Sequence, residues 1–314
     1  MYYVGIDLGG TSIKAGLVDE NGKIIAKATC PTLVERGAKP VVTDMAKLSM
    51  EVVEKGGVTM DDVKAIGIGL PGVQDPRTGI IPFCTNLHWH QVPVIEWMQE
   101  IVNKPIFVDN DATVAGLAES VAGVSANYRN SVFLTLGTGV GGGIVLNGKV
   151  VSGSHGVGSE LGHMITVMDG EMCTCGNRGC WERYASATAM IRMGREAAEK
   201  NPNCLIATSV NGNLDEITAK VVTDAAKAGD PVAEEVFDRY VYHLCVGIVG
   251  IINFIDPEVI VLGGGVSHAG QFLLDKVRAK LPSMVFYKTM PYAEIELAVL
   301  GNDAGIIGAA MLGK

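Results

Sequence analysis

The chain lacks a basic surplus. Lysine and arginine number 25 against 34 aspartates and glutamates, a formal net charge of −9. Such a chain repels phosphate backbones and anionic lipid, so neither nucleic acid nor a membrane surface is expected as a partner. A secretory leader is not expected either. Met1-Tyr2-Tyr3-Val4-Gly5-Ile6-Asp7 has no basic stretch and reads as a strand at once. No uninterrupted apolar run approaches the roughly 20 residues of a membrane span. Charge is scarce, 19% against 48% hydrophobic residues, which predicts a sizeable core and excludes a disordered chain. A disulfide framework is missing too. Of seven cysteines, Cys173, Cys175 and Cys180 are bunched, whereas Cys30, Cys84, Cys204 and Cys245 are scattered in apolar or strand-like surroundings, where buried packing is expected of all four. That usage fits a reducing, cytoplasmic setting with one local metal cluster.

Glycine is abundant, 40 residues, and clusters after apolar runs. Val4 to Asp7 reads as a buried strand, followed by strands at Ile13 to Val18 and Lys23 to Thr29 joined by a turn ending in Asn21-Gly22. The same grammar returns later. Val132-Phe133-Leu134-Thr135-Leu136-Gly137-Thr138-Gly139 lines up with Val4-Gly5-Ile6-Asp7-Leu8-Gly9-Gly10-Thr11, and Asn147-Gly148-Lys149-Val150 with Asn21-Gly22-Lys23-Ile24. An internal duplication follows: two related domains, each with a mixed sheet flanked by helices. Helices are expected at Thr43 to Gly56, Asp111 to Val121, Asp215 to Ala228 and Pro231 to Ile252. Strands are expected at Ala65 to Gly69, Pro105 to Asp109 and Val259 to Leu262, and the tail Asp303 to Leu312 has helical spacing. A chain of 314 residues has room for two domains, and no Pro/Ser-rich linker separates them. The boundary therefore reads as a hinge, with 1–121 as a small first domain and 122–302 as a larger second one.

Five segments carry chemistry. Asp7-Leu8-Gly9-Gly10-Thr11-Ser12-Ile13-Lys14 places a carboxylate at a strand end, then two glycines, a hydroxyl and a lysine. Glycines let main-chain N–H groups approach phosphate oxygens, Thr11 adds a donor, and Asp7 suits Mg²⁺ held through water. One such turn alone would pass for an ordinary hairpin, but Gly137-Thr138-Gly139 repeats it, and a pair makes a nucleotide clamp. It is neither a Walker A loop nor a dinucleotide fingerprint. Gly263-Gly264-Gly265, a third glycine turn, suits flat contact with adenine or ribose. Asp109-Asn110-Asp111 lies between a strand and a helix. At least one of the three is expected to cap that helix, and a carboxylate there, kept ionised by the helix dipole, suits the base for a hydroxyl nucleophile. Finally, His163 with Cys173, Cys175 and Cys180 offers the N and S ligands of a closed tetrahedral zinc site, which shapes its surroundings and leaves no open position for catalysis. Glu160 and Glu182 flank it and suit sugar hydroxyls.

Together these residues resemble the ROK group of repressors, open reading frames and kinases. The resemblance spans essentially the whole chain, through Asp7-x-Gly9-Gly10-Thr11-x-x-Lys14, Asn110-Asp111-Ala112, Leu136-Gly137-Thr138-Gly139-Val140-Gly141-Gly142-Gly143, Glu160-x-Gly162-His163 and Cys173-x-Cys175-Gly176-x-x-Gly179-Cys180-x-Glu182. It implies the actin-like fold of hexokinases and Hsp70 ATPase domains, two domains around a cleft, with the C-terminal helix 303–314 packed back on the first domain. It implies Asp111 as catalytic base and Asn110, Asp111, Glu160, His163 and Glu182 as sugar ligands, with Gly72 and Asn86 also lining the sugar site. His163 would bind zinc through one nitrogen and sugar through the other. Trp181 stands where leucine is more usual in the family, and it is expected to point away from the ligands. Within the family the chain looks most like the glucose-phosphorylating members of Gram-positive bacteria. An N-acetylmannosamine, N-acetylglucosamine or mannose kinase is the alternative. A sugar-sensing repressor is a different one, disfavoured because the first phosphate strand starts at Tyr2. A thiol redox protein would leave the glycine turns unexplained. A homodimer or higher homo-oligomer is expected from the resemblance alone.

Overall fold

The computed structural model describes residues Met1–Lys314. The chain divides into two compact units: Met1–Phe133 with Gly143–Ser159 and Val299–Lys314, and Leu134–Gly142 with Glu160–Ala298.

The first unit is built on strands β1 (Tyr2–Leu8), β2 (Ser12–Asp19) and β3 (Ile24–Pro31), helix α1 (Ala38–Lys55) and strand β4 (Val63–Leu70). A small hairpin, β5 (Ile81–Cys84) and β6 (Trp89–Val92), leads through α2 (Val94–Gln99) and β7 (Ile106–Asn110) into α3 (Asp111–Ala122). The main sheet runs β3-β2-β1-β4-β7. β1, β2 and β3 pair antiparallel, while β4 and β7 join in parallel. The period of two along β1 decides which helix covers which face. Val4, Ile6 and Leu8 bury against Val41, Met45, Leu48 and Val52, the apolar stripe of α1. Tyr3 on the other face joins Leu117 and Ala118 of α3 and Ile306, Ile307 and Ala310 from the tail. Each such aliphatic residue contributes roughly 1.5–3 kcal/mol when fully buried.

The tail closes this unit. Helix α10, the last of ten (Ala304–Met311), lies directly on β1 and β4. Gly5 and Gly67 make that approach possible, because a Cβ at either would run into the main-chain carbonyls of Ile306 or Ala309. Buried Glu119 of α3 fixes the chain's return. It accepts the N–H groups of Val124, Val299 and Leu300 at 2.9, 2.9 and 3.0 Å, so the carboxylate loses its water without losing its hydrogen bonds.

Next in the chain come strands β8 (Ser131–Leu136), β9 (Val140–Leu146) and β10 (Lys149–Val150). The second unit adds helices α4 (Glu182–Ala185), α5 (Ala187–Lys200), α6 (Leu205–Thr208), α7 (Ala219–Lys227) and α8 (Pro231–Ile255). Strand β11 (Val259–Gly263), helix α9 (Gln271–Lys280) and strand β12 (Glu294–Leu297) complete it. The second sheet runs β10-β9-β8-β11-β12. By length and composition α8 is the one helix that could cross a membrane. Its buried residues Val236, Tyr240, Leu244, Gly247 and Ile251 recur every three or four positions, which is the stripe of a core helix.

Three expectations need correction. The first helix starts at Ala38 and not Thr43, because Pro40 falls in its first turn, where no N–H is required. The helix read from Asp215 begins only at Ala219. Thr218 is extended and caps α7 through Val221 N–H at 3.2 Å, while Leu214–Glu216 forms a separate 3₁₀ turn. Of the four scattered cysteines, Cys84, Cys204 and Cys245 are buried, but Cys30, on edge strand β3, is only half-buried.

Candidate active site

In the first unit the glycine turn joins β1 to β2. Their antiparallel register sets Asp7 opposite Lys14, and the two side chains meet at 3.4 Å. The turn is tight, with Gly9 N–H bonded to Ser12 O at 3.0 Å, and Thr11 is exposed at its tip. Asp7 also lies against the head of α10, where a Cβ at Gly305 would come within 2.6 Å of its carboxyl carbon. The N-terminal end of a helix favours a negative group.

Asn110 caps α3. Its Oδ1 accepts Ala112 N–H at 2.9 Å and Thr113 N–H at 3.4 Å, and its Nδ2 donates to Gly72 O at 3.4 Å. Asp111 is the first residue of the helix and its side chain is exposed, with Oδ1 accepting Ala112 N–H at 2.8 Å. Asp109 turns the other way. It accepts the Ser152 hydroxyl at 2.7 Å and Asn110 N–H at 2.7 Å. Burial pushes its carboxyl above the ordinary range despite both donors. Nearby, Cys84 Sγ donates to Pro71 O at 3.0 Å, which ties the Leu70-Pro71-Gly72 turn to the segment carrying exposed Asn86. Burial raises that thiol also. Asp109, Asn110 and Cys84 thus stitch the turns around Gly72, Asn86 and Asp111 into one face of this unit.

In the second unit the repeated turn, Gly137-Thr138-Gly139, joins β8 to β9, with Thr138 exposed. Gly264, after β11, lies against β8. A Cβ there would come within 2.6 Å of Leu136 N, and its φ of 79° is one that only glycine adopts without strain. The third glycine turn is thereby set directly beside the second.

The segment between β10 and α4 forms one 3₁₀ turn, Leu161–His163, and two isolated β-bridges, Ile165 with Cys180 and Met172 with Arg178. Within it the ligand atoms of His163, Cys173, Cys175 and Cys180 all lie within 4.8 Å of one another. Cys173 Sγ is 3.7 Å from His163 Nδ1, and Cys175 Sγ is 3.6 Å from Cys180 Sγ. Ligands at zinc distances around one tetrahedral ion stand about 3.3–3.8 Å apart, so the donor set fits zinc in type and these two contacts fit it in spacing. Asn177 N–H pulls the Cys175 thiol down to about 7, while burial pushes Cys180 up to about 12 and raises Cys173. A cation would draw the buried pair into thiolates. Nδ1 of His163 faces the sulfurs and Nε2 faces Glu160, 4.0 Å away. Glu182 lies on the other side, with Oε1 3.1 Å from Cys173 Sγ and Oε2 2.5 Å from where a Cβ on Gly139 would be. Glu160 and Glu182 thus both lie against the cluster, and Glu182 lies against the glycine turn as well.

The ROK family model matches residues 3–314. The chain belongs to the ROK family. The glucokinase of Thermotoga maritima is 38% identical over 312 residues, 99% of this chain and 96% of that one. The glucokinase of Halalkalibacterium halodurans is 36% identical over 314 residues, covering 100% and 95%. A ROK glucokinase from Streptomyces griseus, solved with glucose and AMPPNP, superposes with a TM-score of 0.81 at 34% identity and covers 99% of both chains. The two units with mixed sheets flanked by helices are the actin-like fold of ROK kinases. Trp181 is buried. Its ring sits on Gly247 of α8 and its Nε1 donates to His243 O at 2.8 Å, so a glycine 66 positions away makes room for it. Sequence reading passed over Ser152 and Cys84 as site-building residues. Nothing local marks either, since their partners are 43 and 13 positions away.

Proposed function

We propose that this ROK protein transfers the γ-phosphoryl group of Mg·ATP to the 6-hydroxyl of glucose. The observation that carries this reading is the exposed Asp111 carboxylate at the head of α3, in a chain with two matching glycine turns. Asp111 takes the proton of the attacking hydroxyl. A helix N-terminus is a favourable place for a carboxylate, and a positioned acceptor is what phosphoryl transfer to an alcohol needs. Asn110, Glu160, His163 and Glu182 hold the sugar, with Gly72 and Asn86 beside it. Gly9, Gly10 and Thr11 take phosphate oxygens, as do Gly137, Thr138 and Gly139, and Gly263, Gly264 and Gly265 receive the nucleoside. Lys14 balances Asp7, which would hold Mg²⁺ through water, and that ion neutralises charge on the phosphates when bound. His163, Cys173, Cys175 and Cys180 hold one structural zinc, and the His163 Nε2 geometry supports a second duty of that ring toward the sugar.

The functional division into 1–121 with the tail helix 303–314, and 122–302, belongs to the same proposal. So do a homodimer or higher oligomer and a cytoplasmic location, the latter supported by seven free cysteines. The test is a substrate panel with ATP. Formation of glucose 6-phosphate is expected. Turnover confined to N-acetylmannosamine, N-acetylglucosamine or mannose would transfer the assignment to that hexose.

A further inference from the structure

Both glycine turns are gripped from outside in the same way. In the first unit Thr32 follows β3 and is fully buried. Its hydroxyl donates to Gly9 O at 2.6 Å, and its N–H donates to Thr11 O at 3.1 Å. In the second unit the grip comes from the head of α5. Ala187 N–H donates to Gly137 O at 2.8 Å, and the Thr188 hydroxyl donates to Thr138 O at 2.7 Å. Each turn thus has two carbonyls held by one threonine hydroxyl and one main-chain N–H, supplied by a strand end in one case and a helix start in the other.

A trans peptide points its N–H opposite to its C=O. Holding Gly9 O and Thr11 O toward Thr32 aims Gly10 N–H and Ser12 N–H away from it. Holding Gly137 O and Thr138 O toward α5 aims Thr138 N–H and Gly139 N–H away from the helix. Glycine-rich turns are otherwise free to flip such peptides. We propose that Thr32 and Thr188 are positioning residues, each aiming the N–H groups of one glycine turn at the nucleotide phosphates. The inference rests on the nucleotide reading given above. Neither threonine touches ATP in this scheme, and each acts through the carbonyl it holds.

The test replaces each hydroxyl by a methyl of the same shape. Thr32→Val and Thr188→Val are compared with Thr32→Ser and Thr188→Ser for ATP affinity by calorimetry, for KM with ATP and with glucose, and for Tm. Loss of one such bond, with a carbonyl left to turn, should weaken ATP binding and raise its KM about tenfold in each valine variant. KM for glucose should stay within about twofold, and the serine variants should recover most of the ATP affinity. Thr188 is exposed, so its valine variant keeps the question open to measurement even if buried Thr32→Val melts early. Unchanged ATP affinity in Thr188→Val would overturn the proposal, as would equal losses for ATP and glucose or serine variants as weak as valine. Wild-type protein that binds ATP but yields no glucose 6-phosphate would sink the substrate reading alone, and calorimetry would still decide the threonines. Wild-type protein that binds no ATP would sink both.

Discussion

The head of α3 and the segment leading into α4 both carry carboxylates assigned to the proposed reaction, yet they are built by different means. Asp111 rides on a strand and a helix, β7 and α3, and its neighbours are fixed by a cap, a buried carboxylate and ordinary hydrogen bonds. Glu160 precedes the one 3₁₀ turn of a stretch otherwise tied by two isolated β-bridges, and Glu182 opens the short helix α4 that ends it. A Cys₃His cluster gathers this stretch. Bonds to the proposed zinc would supply order where strands and long helices are missing.

The largest effect should come from the rigid side of this contrast. Asp111→Asn keeps shape and hydrogen bonding but removes the proton acceptor, so turnover should fall ~10²–10⁴-fold. ATP affinity and zinc content should be normal. Near-full turnover in that variant would make Asp111 a sugar ligand only, with Glu160 the next candidate for the base. The metal side is tested by Cys175→Ser combined with Cys180→Ser. Elemental analysis should find about one zinc per wild-type chain and none in the double variant. Glucose affinity should drop while far-UV circular dichroism changes little, because most helices and strands lie outside the loop. Zinc binding should also weaken as pH falls, since buried Cys173 and Cys180 have to lose their protons to bind it.

A smaller effect probes what backs the metal loop. Gly247→Ala drives a methyl into the Trp181 ring and should cost about 1–3 kcal/mol in denaturant unfolding. Adding Trp181→Leu should return part of that loss, and strict additivity of the two changes would break the link. The smallest expected effect is at Asp109. Its folded-state pKa is raised, so its contribution to stability is whole below the unfolded value near 3.9 and is lost as pH rises through the raised one. Asp109→Asn, which still offers Ser152 an acceptor, should gain stability relative to wild type as pH climbs through that window. Parallel stability curves for the two proteins would contradict the burial argument.

The sequence by itself determined the duplicated strand-turn-strand openings, the family, the donor set of the metal cluster and a helix cap somewhere in Asp109-Asn110-Asp111. These are local facts: a period of two, glycines at fixed offsets, thiols within a few residues of one another, an Asp-Asn-Asp run between a strand and a helix. Sequence periodicity overran α7 because Thr218, a good cap, outcompeted the helical pattern around it. Only the tertiary structure decided the rest. It brought Ser152 to Asp109, Glu119 to the returning tail, Gly247 under Trp181, and Thr32 and Ala187-Thr188 onto the backs of their glycine turns. The physical reason is common to all of them. A carbonyl, a buried carboxylate or a flat ring has to be satisfied by whatever the fold brings near, and sequence distance sets no limit on that partner.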